Sequence, residues 1–218
     1  MISIVIPIYQ NQDVLEELYT QLKEVLLKRP HEIIFVDDAS PDRSRAILDI
    51  LAARDPHTRM IALETNGGQH RAVLEGLKEA KGSVIVTMDG DLQDSPSTIP
   101  QLIEKLQEGY EAVFAGRKGE YESSFRLWTS KIFKGLLHRI CHVPKDAGMF
   151  VAMSRKMVDA VLKIKMKAPF VVAMIGLTRL PTHSIPVLRQ KRNQGKSAYT
   201  TWMRLKIGCD ALLQTWNR

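Results

Sequence analysis

Cysteine is nearly missing from this chain. Its 218 residues include only Cys141 and Cys209. They stand far apart and outside any Cys-x-x-Cys string, which argues against a zinc knuckle or a disulfide framework and suits a reducing compartment. Long apolar runs are missing too. None approaches the ~20 residues that span a bilayer, and the longest candidate, Phe170 to Leu177, is far shorter and contains Gly176. The opening string Met1-Ile2-Ser3-Ile4-Val5-Ile6-Pro7 has neither a basic n-region nor a long apolar h-region, so it reads as a strand rather than a secretory signal. The expected location is therefore the cytoplasm. Aromatic residues make up only 6% and mostly occupy apolar helical positions. That arrangement is not the basic stacking platform of a nucleic-acid-binding module.

Acid is what the back half lacks. Residues 117–167 hold twelve Lys/Arg against four Asp/Glu, and residues 187–218 hold seven against Asp210 alone. The net charge of +7 is thus concentrated in a back half that suits phosphates, an anionic membrane surface or nucleic acid. A merely soluble basic face is the plainer alternative. With 44% hydrophobic and 25% charged residues, the chain suits one compact domain with a sizeable core. It shows no internal repeat and no low-complexity tract.

The front half alternates strand and helix. Apolar, β-branched runs at Ile2–Ile6, Glu32–Val36, Met60–Leu63, Val84–Met88 and Ala112–Ala115 are separated by helical patterns at Asp13–Leu27, Arg43–Ala53, Arg71–Ala80 and Thr98–Glu108. Such alternation predicts an α/β fold with an open, mostly parallel sheet and helices on both faces; the unbroken apolar strands fit burial on both sides. Ser40-Pro41 reads as an N-cap with proline at the first helical position, and Ser97 as the cap of the fourth helix. Further on, Ser123–Cys141 is a long basic helical pattern, Arg155 begins another helix, His183–Arg189 reads as a strand, and an amphipathic helix runs from about Thr200 to Trp216.

In such a sheet, ligands bind beyond the carboxyl ends of the strands. Four strings follow the first four strands: Pro7-Ile8-Tyr9-Gln10, Asp37-Asp38-Ala39-Ser40, Asn66-Gly67-Gly68-Gln69-His70 and Asp89-Gly90-Asp91-Leu92-Gln93-Asp94. Acidic and small residues collect at one rim. Asp89 and Asp91, separated by one glycine, can reach one cation from the same side, and their hard oxygens suit Mg²⁺ or Mn²⁺. Asp-x-Asp also occurs in solvated turns; its place after a valine-rich strand is what favours the cation. Asp37 and Asp38 are positioned to accept hydrogen bonds from a base and ribose, or to shape a turn. Gly67-Gly68 permits close backbone approach to a phosphate, or is a plain strand-to-helix turn. His70 reads more readily as a surface or capping residue than as a ligand contact, and His138 and His142 as part of a solvated helix face.

Taken in order, these pieces resemble glycosyltransferase family 2, whose fold is called GT-A. The likeness is carried by Ile4-Val5-Ile6-Pro7-Ile8-Tyr9, Val36-Asp37-Asp38-Ala39-Ser40-Pro41-Asp42, Asn66-Gly67-Gly68-Gln69-His70, Asp89-Gly90-Asp91-Leu92-Gln93-Asp94-Ser95-Pro96, Gly116-Arg117, Asp146-Ala147-Gly148 and Arg192-Asn193-Gln194-Gly195-Lys196-Ser197-Ala198-Tyr199. Within the family the chain is most similar to polyprenyl-phosphate glycosyltransferases, such as dolichyl-phosphate mannose synthase and the undecaprenyl-phosphate sugar transferases. It departs from the pattern at Tyr9-Gln10-Asn11, where Tyr-Asn-Glu is usual, and at Ser197-Ala198-Tyr199, where Ser-Lys-Tyr is usual. Ala152 stands near a position where relatives often carry arginine. Many relatives continue into transmembrane helices, whereas this sequence ends at Arg218.

The resemblance implies a catalytic domain over residues 1–190, with a Rossmann-like nucleotide-binding half and an acceptor-side half, followed at 191–218 by a mobile loop and the amphipathic helix. It implies that Pro7, Tyr9, Asp37, Asp38, Gly67, Gln69, Asp89 and Gly90 bind the nucleotide sugar. Arg192, Lys196 and Ser197 would close over its phosphates. Asp89, Asp91 and Gln93 would hold Mg²⁺ or Mn²⁺, Arg117 and Arg126 would face an acceptor phosphate, and Asp146 would lie beside the reacting carbon with Asp91 and Arg117 as catalytic companions. The implied activity is an inverting hexosyl transfer, with a UDP-sugar favoured over GDP-mannose as donor. The implied acceptor is a polyprenyl phosphate at the membrane face; a sugar or glycan hydroxyl is the alternative. Interfacial residues such as Trp202, Leu205 and Trp216 beside Arg204 and Lys206 suit peripheral contact with anionic lipid. Packing on the core or in a homo-oligomer is the other use of that helix.

Overall fold

The computed structural model describes residues 1–118 and 141–188. In chain order the elements are β1 (Ile2–Ile8), α1 (Leu15–Leu26), β2 (His31–Asp37), α2 (Ser44–Arg54), β3 (Thr58–Ala62), α3 (Gln69–Glu79) and β4 (Val84–Thr87). A 3-10 turn (Pro96–Thr98) leads into α4 (Ile99–Leu106), then β5 (Ala112–Lys118), β6 (Val151–Ser154), α5 (Arg155–Lys163), α6 (Val171–Leu177) and β7 (Thr182–Leu188). The strands form one sheet in the order β3-β2-β1-β4-β6-β5-β7. β6 runs antiparallel to β4 and β5, and every other pairing is parallel.

Side-chain alternation explains why the strands are apolar throughout. On β1, Ile4, Ile6 and Ile8 face the layer of α1, α2 and α4, while Val5 faces the layer of α3, α5 and α6. β2 divides in the same way, with Ile33 and Phe35 on one face and Ile34 and Val36 on the other. The helices answer with single stripes: Leu15, Leu18, Leu22 and Leu26 of α1 are all buried, at the spacing of one helical face.

The sheet is mostly parallel, as its sequence pattern suggests, and the described helices cover both faces. Several local expectations are corrected. α2 begins at Ser44, not after Ser40-Pro41. Asp37 accepts the Ser40 N–H (3.2 Å), Ala39 takes a left-handed φ of 56°, and Asp42 accepts the Ser44 N–H (3.0 Å), so a turn precedes the helix. Ser95, rather than Ser97, caps the turn into α4, accepting the Ser97 N–H. Pro7 and Ile8 belong to β1 itself. The run at 170–177 is largely α6, a buried core helix; among the described residues no helix is long and apolar enough to cross a membrane. The long basic helical pattern at 123–140, the tail at 191–218 and the proposed division there lie outside the described residues.

Candidate active site

Four parallel strands end at one rim, and the loops leaving them carry the polar groups. β2 delivers Asp37 and Asp38, which are 1% and 2% exposed. Two carboxylates this deep need partners or a ligand. Asp38 has its partners: Oδ1 accepts the Gly67 N–H at 2.7 Å and Oδ2 the Gly68 N–H at 2.8 Å. Burial pushes Asp38 above the ordinary carboxylate value, against the pull of those two N–H groups and with Asp37's charge adding to the rise. Asp38 therefore holds the loop that starts α3, where Gly68 adopts φ 84°, a conformation glycine takes readily. Asp37 is different. Its Oδ1 accepts the Ser40 N–H, but its Oδ2 is buried without a hydrogen-bond partner.

The next residue after Gly68 reaches across to β4's loop. The Gln69 side-chain amide donates to Asp89 Oδ1, which fixes one carboxylate oxygen. Gly90 is buried against Ile8 Cδ1 and the Pro7 carbonyl, so the loop is seated directly on the end of β1. Asp91 follows, its Oδ1 accepting the Gln93 N–H at 3.2 Å, and Leu92 completes the turn at φ 55°. Tyr9 is partly buried beyond β1, its N–H given to Asn11 Oδ1 at 3.1 Å.

β6 brings the last group to the same rim. Because it runs antiparallel between β4 and β5, its start lies beside their carboxyl ends. Thr87 Oγ1 donates to the Met149 carbonyl (2.6 Å) and the Ala115 N–H to the Phe150 carbonyl (2.9 Å). The preceding turn, containing Asp146, is thereby held at the carboxyl end of β5, against Gly116. Asp146 rests on Gly116 of β5 so closely that a Cβ there would stand 1.9 Å from Asp146 Oδ2. A side chain at 116 would displace the carboxylate from that position.

Pro7, Tyr9, Asp37, Asp38, Gly67, Gln69, Asp89, Gly90, Asp91, Gln93 and Asp146 are thus gathered on or beside one rim. Arg117 follows Gly116 on β5; its side chain, with Arg126, Arg192, Lys196 and Ser197, lies outside the described residues. The two rim carboxylates and the Gln93 amide are a hard-oxygen set suited to Mg²⁺ or Mn²⁺. Among the described residues no group of three or more His, Cys, Asp or Glu could hold an ion. Such a set leaves positions on a Mg²⁺ ion open for water or phosphate oxygens. A basic hollow of about 380 Å³ around Lys23, Arg29, His31 and His57 lies at the opposite, amino-terminal rim.

Two residues of this neighbourhood escape sequence reasoning. His70 is not a surface or capping residue: its ring packs edge-on to Phe170 (4.7 Å between centroids), and its Nδ1 accepts the Val171 N–H at 3.4 Å. Burial holds its pKa down to about 4, with Asp89's charge pulling the other way. Ser184 on β7 has a buried Oγ with no hydrogen-bond partner. Within Thr182–Leu188 it looks like an ordinary alternating polar position; only the fold sets it beside Gly116.

The family model described as Glycosyl transferase family 2 matches residues 3–162. The chain is 36% identical over 215 residues to the uncharacterized glycosyltransferase YkcC of Bacillus subtilis (strain 168), covering 96% of this chain and 67% of that protein. It is 35% identical over 209 residues to the undecaprenyl-phosphate 4-deoxy-4-formamido-L-arabinose transferase of Klebsiella pneumoniae (strain 342), covering 94% and 64%. It spans about two thirds of the length of these curated relatives. Among solved structures, the mannosyltransferase PcManGT from Pyrobaculum calidifontis, in complex with GDP-Man and Mn²⁺, superposes with a TM-score of 0.73 at 17% identity, covering 100% of this chain and 64% of that one. That likeness identifies a GT-A fold.

Proposed function

The chain belongs to glycosyl transferase family 2, and from that premise we propose that it moves a hexosyl group from a nucleoside diphosphate sugar to a polyprenyl phosphate at the cytoplasmic face of a membrane. The observation that carries the reading is the Asp89–Asp91 pair on the carboxyl rim, with Gln69 holding one oxygen of Asp89. Mg²⁺ or Mn²⁺ held by Asp89, Asp91 and Gln93 would supply positive charge against the donor diphosphate. UDP-sugars are the favoured donors and GDP-mannose the second choice.

The chain's own residues account for the rest. Asp37 presents its partnerless Oδ2 to an N–H or O–H of the nucleoside, the donor that this buried oxygen lacks. Asp38 keeps the Gly67-Gly68 loop in place beside it. An acceptor oxygen attacks the anomeric carbon in line; the bond from that carbon to the diphosphate oxygen breaks, its electron pair leaving with the nucleoside diphosphate, and the centre inverts. A phosphate monoester has a second pKa of about 6, so a polyprenyl phosphate brings an already ionised oxygen, and Asp146 orients it. Arg117 and Arg126 suit the acceptor phosphate, since guanidinium groups fork onto phosphate oxygens. Arg192, Lys196 and Ser197 suit the donor phosphates. The amphipathic residues 200–216 and the basic back half suit peripheral attachment to anionic lipid. The relative named for an undecaprenyl-phosphate transferase supports this acceptor class.

The test is transfer of labelled sugar by the purified chain with Mn²⁺. UDP-sugars and GDP-mannose serve as donors, with a short-chain polyprenyl phosphate or a free sugar as acceptor. Label entering the organic phase with the lipid phosphate is the expected result. Label entering only the free sugar would replace the lipid phosphate with a hydroxyl acceptor. Asp146→Asn would then abolish transfer, because a hydroxyl must lose its proton to a base.

A further inference from the structure

Gly116, Asp146 and Ser184 meet at a point where one methyl group is missing. The three atoms nearest to the Cβ that Gly116 lacks are Asp146 Oδ2 at 1.9 Å, Ser184 Oγ at 2.4 Å and Asp146 Cγ at 2.6 Å. The hydroxyl and the carboxylate therefore share the space above β5. Ser184 reaches it from β7, where it pairs with Phe114 one strand over. Its Oγ is buried and makes no hydrogen bond, the less common condition for a hydroxyl inside a protein. The two oxygens flank the same missing Cβ, so donor and acceptor face one space.

We propose that Ser184 is a positioning residue for Asp146, donating its Oγ–H to Asp146 Oδ2 and holding the carboxylate over Gly116 with Oδ1 turned toward the acceptor. The assignment rests on the transferase reading above. It explains together why a glycine at 116 leaves room for the carboxylate, why a hydroxyl sits within the β7 wall, and how a carboxylate on a turn is kept in one orientation. A fixed orientation matters to rate, because misplacement of a reacting group by about 1 Å can cost on the order of a hundredfold.

Transfer kinetics of wild type, Ser184→Ala, Asp146→Asn and the double variant test it, alongside their thermal midpoints. Ser184→Ala should lower kcat about tenfold. KM for the nucleotide sugar should stay within about twofold, and the midpoint should shift by no more than the loss of one hydrogen bond brings, since the residue acts through Asp146. On the Asp146→Asn background the same change should add nothing. A kcat for Ser184→Ala within about twofold of wild type, or losses that multiply in the double variant, would overturn the assignment.

Absence of any transfer by wild type would instead contradict the transferase reading. In that event crystal structures of wild type and Ser184→Ala still decide the pair. Ser184 Oγ within hydrogen-bond distance of Asp146 in wild type, with the carboxylate turned away in the variant, is expected. An unmoved carboxylate would overturn the proposal.

Discussion

Asp38 holds Gly68 from below: the carboxylate Oδ2 accepts the glycine N–H at 2.8 Å while Oδ1 takes the neighbouring Gly67 N–H at 2.7 Å. Through this clasp, β2 fixes the start of α3, and Gln69 then reaches the metal-side loop at Asp89. Replacing Asp38 with Ala leaves two backbone donors without their acceptor, a change of about 1–3 kcal/mol in stability. Its effect on activity should fall mainly on KM for the nucleotide sugar, measured by thermal unfolding and steady-state kinetics side by side. Asp38→Asn, which keeps one acceptor oxygen, should lie between Ala and wild type.

Gly116→Ala addresses the other half of the site. The added Cβ occupies the position of Asp146 Oδ2, so the carboxylate must swing away while β5 keeps its pairings. Loss of kcat on the order of a hundredfold is expected, with nucleotide binding by calorimetry near wild type. Equal weakening of nucleotide binding and kcat would mean that the substitution disturbs the whole rim.

Acid should loosen the contact between α3 and α6. His70 titrates near 6.5 when unfolded but is held down to about 4 in the fold, by burial against Asp89's opposing charge. Between those values the unfolded chain binds the extra proton, so this residue's stabilising effect is complete above pH 6.5 and is lost as pH falls toward 4. The span corresponds to roughly 3 kcal/mol. Denaturant unfolding across that range should give a steeper pH dependence for wild type than for His70→Gln. Parallel slopes would mean that the imidazole does not titrate differently on folding.

Much of the site was legible because local rules and fold agree there. A buried strand ending in Asp89-Gly90-Asp91, and another ending in Asp37-Asp38, place carboxylates at the carboxyl rim of a parallel sheet whatever the remainder does. The failures are contacts made by distant segments. His70 looks like a helix-start histidine until Phe170 and Val171 arrive from a hundred residues away. β6 has only Val151-Ala152-Met153-Ser154, too short for a period to be read, and its place is set by the edges of β4 and β5. Ser40-Pro41 has the chemistry of a helix start, but Asp37 and Asp42 turn the backbone first. Ser184 carries no local mark at all.

The most direct measurement is a thermal-shift series with UDP and GDP, with and without Mn²⁺, on wild type and Asp91→Asn. The expected result is stabilisation of wild type by one nucleotide only when the metal is present, with that gain absent in Asp91→Asn. A metal-independent shift, or an undiminished metal-dependent shift in Asp91→Asn, would contradict a cation held at the Asp89–Asp91 pair.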